Sequence, residues 1–161
     1  MSGSIAGVDL IIPRHSPLQL AQFNRRDFLA VFSGRFVVSG RFTYGCIDDC
    51  AKPYRRADMR LYLSPDVGVV ARLPRWKGFR PAETIEIENP SAFAAVAIPL
   101  RVMLALENGK QRQVSGRTSI VIDHFQTGVA CDDSWASARF KSFAKPTVID
   151  GAPSMSGVGC E

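Results

Sequence analysis

The residues with the most chemistry to offer are the cysteines Cys46, Cys50, Cys131 and Cys160, and a histidine, His124, seven positions before Cys131. Thiolate and imidazole are the ligands that tetrahedral zinc takes, so Cys46, Cys50, His124 and Cys131 form one candidate metal set. Its spacing departs from the usual paired knuckles, because CIDDC (46–50) has no matching second pair. Two simpler fates compete with zinc: a loop disulfide between Cys46 and Cys50, or free thiols in a reducing cytosol. The expectation is free thiols and no cofactor. Asp48-Asp49 and Asp132-Asp133 lie beside these cysteines and offer hard oxygen ligands to Ca²⁺ or Mg²⁺ if their loops converge. Neither loop has the alternating spacing of a calcium loop, and aspartate serves turns through its own backbone bonds, so turns are the expectation.

Catalysis finds less support. Cys131 and His124 form the only drawable nucleophile and base, and the other histidine, His15, stands between prolines. The chain has no phosphate-cradling glycine loop, no G-x-S-x-G elbow and no H-E-x-x-H string. A metal-dependent or thiol enzyme is therefore the remote reading, and binding the leading one.

The best candidate for a binding surface is RLPRWKGFR (72–80). Arg72, Arg75, Lys77 and Arg80 are interleaved with Trp76 and Phe79, and Pro74, Gly78 and Pro81 keep the segment out of regular structure. Cations for phosphates and exposed rings for stacking are what single-strand binders present. Arg55, Arg56 and Arg60 are placed to extend the patch. The opposing reading makes Trp76 and Phe79 buried anchors and the cations merely solvated. Exposed rings favour a nucleic-acid or other polyanion partner. Buried rings, with an apolar patch elsewhere, favour a protein-interaction or structural module.

The elements that position these groups read mainly as strands. RFVVSGRFTYG (35–45), MRLYLS (59–64), VGVVARL (67–73) and ETIEIEN (83–89) carry β-branched, aromatic or alternating patterns, the last with an acidic solvent face. Asn89-Pro90 opens a short helix that Pro99 ends. Asn108-Gly109 suits a hairpin turn with Glu107 facing Lys110, and its second arm runs on to Phe125. Thr127-Gly128 marks another turn before a last strand, WASARFKSF (135–143). The string Val-Ser-Gly-Arg occurs at 38–41 and again at 114–117. A glycine inside a strand marks a bulge, a bend or a close backbone approach, as small barrels require.

NRRDFLA (24–30) poses a separate question, because a twin arginine before apolar residues opens many export signals. Arg35 interrupts the apolar stretch too soon for that role. Asn24 as N-cap, Asp27 three residues on, a Phe23–Phe28 staple and Gly34 as stop predict a short helix instead.

The expected fold is mainly β, a β-rich α+β class. It is a small twisted, partly closed barrel or sandwich with an N-terminal helix and one short inserted helix. Strands with an inserted helix resemble the OB barrel in pattern, with no OB-specific motif. The expected organisation is a flexible leader at 1–17, one domain at 18–143 and a flexible tail at 144–161. With 161 residues, 46% hydrophobic, 22% charged and net charge +5, the composition suits one globular domain with some preference for anionic partners. No apolar run reaches the roughly 18–20 residues of a membrane span. The function expected from these readings is a small cytoplasmic, non-catalytic domain that binds a polyanion or a protein.

Overall fold

Alternation decides the sheet. The computed structural model describes residues 2–5, 8–47, 50–131 and 133–150. In Phe36–Gly45, Phe36, Val38, Phe42 and Tyr44 point into the core while Val37 and Arg41 face out. Leu61 and Leu63 do the same in Arg60–Pro65, and Ile85 and Ile87 in Ile85–Ile87, with Glu86 outward. In chain order the strands are β1 (Ser2–Ile5), β2 (Val8–Ile11), β3 (Gln19–Asn24), β4 (Leu29–Ser33) and β5 (Phe36–Gly45). They continue with β6 (Arg60–Pro65), β7 (Arg75–Trp76), β8 (Ile85–Ile87), β9 (Gln113–Ala130) and β10 (Asp133–Ile149).

The main sheet has the order β10-β8-β6-β5-β9-β4-β3, and β10 also pairs with β9. Five strands, β5, β6, β8, β10 and β9, are therefore neighbours in a ring. Its narrow seam is β8, which meets β10 in parallel through Ser137↔Glu86 and Ala138↔Ile87 alone. The result is a partly closed barrel, while β1, β2 and β7 form a small separate sheet. Two helices, α2 (Pro90–Ala97) and α3 (Leu100–Glu107), connect β8 to β9. From α2, Phe93 enters the core and meets Phe42 edge-on at 5.2 Å and Phe140 at 5.8 Å between centroids. Such geometry adds to the stabilisation from burial alone.

The repeated Val-Ser-Gly-Arg string marks two close approaches. Gly40 faces Thr118 on one side and Pro65 on the other, and Gly116 faces Phe42 and Ile149. At both glycines a Cβ would collide with the main chain of a neighbouring strand.

Four local expectations are corrected. Residues 24–34 form no helix: β3 and β4 make a hairpin whose turn is closed by Asn24 Oδ1, accepting from Arg26 N at 3.0 Å and Asp27 N at 3.2 Å. The capping bonds are present, but the chain reverses after them. A helix this short is marginal alone, whereas a strand buries Ala30 and Phe32 and pairs with β9. Residues Val67–Val70 form a single helical turn, α1, in place of a strand. Asn108-Gly109 ends α3, with Gly109 at φ 70, because Val102, Met103 and Leu106 repeat at helical spacing and are buried together. Thr127-Gly128 lies inside β9, so the turn falls later.

Strand pairing runs past the expected last strand: β10 pairs as far as Ile149, and Val8–Ile11 pairs with β7 through Leu10↔Trp76.

Cys46 and Cys50 form a disulfide, which replaces the expected free thiols. Cys46 is buried, and its backbone N–H donates to Arg112 O at 3.1 Å at the end of the β5–β9 ladder. Closing so short a loop restricts the unfolded chain by about 2 kcal/mol on a chain-entropy estimate. Reduction, or the C46A/C50A pair, is expected to lower stability by about that amount. Urea unfolding with and without reductant measures it, and coincident curves would refute the expectation.

Candidate binding surfaces

The 72–80 segment is held from inside. Leu73, Pro74 and Trp76 are buried, and Trp76 is only 1% exposed. The Trp76 indole N–H donates to Thr127 Oγ1 at 3.2 Å, the Thr127 hydroxyl donates to Trp135 O at 2.8 Å, and Phe23 packs 6.0 Å from the indole. Phe79 is half-buried against the core, and its N–H donates to Trp76 O at 3.2 Å around Gly78, at φ 84. Arg72, Arg75, Lys77 and Arg80 are all exposed. The Arg72 guanidinium lies 5.1 Å above the Phe36 ring, which holds its stem without neutralising its charge. The segment thus alternates buried anchors with outward cations, and the Trp76 ring is closed to stacking. Arg56 and Arg60 do not extend it, since their charges pair with Glu107 and Glu86.

The candidate zinc set is not assembled. Cys46 and Cys50 are bonded to each other, which consumes the thiolates. His124 and Cys131 are both exposed, with φ of 49 and 51. Extended strand from 124 to 130 separates them by roughly 20 Å at 3.3 Å per residue, out of reach as nucleophile and base. Among the described residues no group of three or more His, Cys, Asp or Glu side chains gathers to hold a metal. Asp48, Asp49, Asp132 and Cys160 lie outside the described residues. Among the described residues no helix is long and apolar enough to cross a membrane.

A groove on the outer face of β6, β8 and β10 brings together residues that strand reading alone leaves apart. Tyr62 faces Glu86 across β6–β8, and Glu86 faces Ser137 across β8–β10. Glu88 Oε1 accepts from Gln126 Nε2 at 3.1 Å and from Ser137 Oγ at 3.2 Å, and Glu86 Oε1 accepts from Arg60 Nη1 at 2.8 Å. Trp135 is 39% exposed, and its indole lies over Gly128, where a Cβ would stand 2.6 Å from the ring. The groove encloses about 760 Å³ between this face and the 80–84 loop. A second depression of about 660 Å³ shares Glu86 and Glu88 with it and continues towards Arg56 and Ser91. The alternations in ETIEIEN and MRLYLS place Glu86, Glu88 and Tyr62 outward. Only the parallel β8–β10 pairing adds Trp135.

A third surface is apolar. On α2 and α3, Val96, Leu100 and Leu104 are exposed, Val96 by 74% and Leu100 by 69%. Beside them a pocket of about 280 Å³ reaches Tyr44 and Met103. Burial pushes the Tyr44 phenol above its ordinary pKa, Arg56 pulls it back and Glu107 pushes it up further. Compared with protein-family models, curated proteins and solved structures, the chain finds no match.

Proposed function

We propose that this chain is a non-catalytic binding domain that holds a polyanion, foremost a nucleic-acid backbone, along residues 72–80. One observation carries the reading: four exposed cations on buried anchors, in a stretch from Val67 to Ala82 without a carboxylate. The strand order supports it by analogy. β5, β6 and β8 form a meander, helices follow, and β9 leads to β10, which returns beside β8 in parallel. That arrangement resembles the OB barrel, a five-stranded scaffold used for oligonucleotides and oligosaccharides. With Trp76 an anchor, phosphates are the target and bases are not, so recognition is sequence-tolerant and salt-dependent.

A labelled single-stranded oligonucleotide is expected to gain anisotropy at low salt and lose it as salt rises. The R72A/R75A/R80A variant is expected to weaken binding at least about tenfold, with a salt slope shallower by about 0.7 per lost contact. Flat anisotropy of the unsubstituted protein at low salt would remove nucleic acid. The nucleic-acid reading goes with a cytoplasmic setting, where the Cys46–Cys50 pair would be reduced at the stability cost given above. The buried Trp76 and half-buried Phe79, with Val96, Leu100 and Leu104 exposed elsewhere, meet the ring criterion for the second reading, a protein-interaction module, so the polyanion reading rests on the cations alone. Flat anisotropy would leave that reading standing.

A further inference from the structure

We infer that the groove over β6, β8 and β10 is a second binding site, for an uncharged hydroxyl-rich chain, an oligosaccharide. The inference stands apart from the polyanion reading, because it rests on Trp135, Tyr62 and Glu88; of the 72–80 cations only Arg80 borders this groove. Trp135 is the starting point. Its indole is a large half-exposed ring backed by the Gly128 main chain, so it is already oriented and loses little freedom on binding. Tyr62 stands across β8 on the same outer face, two strand spacings across and two residues along from Trp135, or roughly 12 Å between backbones. Two rings at that separation offer apolar faces to non-adjacent rings of one linear ligand.

Oriented polar groups lie between the rings. Gln126 and Ser137 both donate to Oε1 of Glu88, and no donor among the described residues reaches its Oε2. Arg60 fixes Glu86 in the same way. Such preset acceptors suit hydroxyls, which donate and accept at once. An apolar ligand would leave these groups unpaired, at a cost for each. A phosphate chain would meet Asp58, Glu83, Glu86, Glu88 and Asp133, against Arg56, Arg60 and Arg80, and be disfavoured. A cationic peptide is less favoured because Glu86 is already paired with Arg60 and Glu88 holds neutral donors. The neighbouring depression lengthens the groove, as a linear chain requires.

The chain has two tryptophans, and Trp76 is buried, so ligand-induced change in intrinsic fluorescence reports Trp135. Cellohexaose, maltohexaose and hexa-N-acetylchitohexaose are the probes. At least one is expected to give a saturable change that persists at high salt and in R72A/R75A. Binding followed by calorimetry is expected to weaken at least about tenfold in W135A and in Y62A, with W135F retaining most of it. Circular dichroism confirms that each variant is folded, and Y62A and W135F keep the test open if W135A is not. No saturable response to any of the three up to about 10 mM would overturn the inference. So would a response to oligolysine or to an oligonucleotide with none to the sugars.

Discussion

G116A is expected to destabilise the chain by about 3 kcal/mol or more, a large share of the roughly 5–15 kcal/mol that holds a domain folded. The added Cβ would stand 2.1 Å from Val148 O, 2.9 Å from Ile149 Cα and 2.8 Å from a Phe42 ring carbon. Two of these atoms are main chain, so no flexible side chain can turn away. Admitting the methyl group means opening the β9–β10 ladder where it flanks the core. Gly40 is in the same position against Ser64 O, at 2.2 Å, and G40A is expected to behave alike. Gly68 has nothing within 4 Å of its Cβ position, so G68A is the control and is expected to shift stability by no more than about 0.5 kcal/mol. Urea midpoints followed by far-ultraviolet circular dichroism measure all three. A G116A midpoint equal to that of the unsubstituted chain would show that the strands separate there without cost.

W76A is expected to cost about 3–5 kcal/mol, the range for deleting a fully buried large aromatic. The indole fills space against Phe23 and satisfies Thr127, and both contacts vanish together. W76F keeps most of the volume and loses the hydrogen bond, at about 1 kcal/mol. The pair also tests how the 72–80 segment works. If Trp76 is an anchor, folded W76F binds an oligonucleotide as the unsubstituted chain does, because the cations remain in place. A large loss of affinity in folded W76F would instead make the ring a contact for bases.

The sequence carried more of the fold than of the site. Alternation in 36–45, 60–65 and 85–87 marked the barrel strands and their outward residues, because one buried face imposes a period of two. Val-Ser-Gly-Arg marked the close approaches, since a glycine at those positions leaves the room that crossing strands need. Capping and turn signals were less reliable. Asn24 makes the bonds of an N-cap, yet they close a hairpin, and Asn108-Gly109 ends a helix where a strand turn was expected. In both places local chemistry allows two outcomes, and burial against distant strands selects one.

By itself, then, the sequence determined a β-rich domain, its outward acidic strand and a segment of cations between aromatic residues. Only the tertiary structure decided that Trp76 points inward, that Cys46 joins Cys50 and that His124 lies far from both along the strand. It also decided that Trp135 shares a groove with Tyr62, 73 positions away in the chain. The physical reason is the same throughout. Period and propensity act over neighbouring residues, whereas a binding face is assembled by strand pairings whose partners are set by global packing.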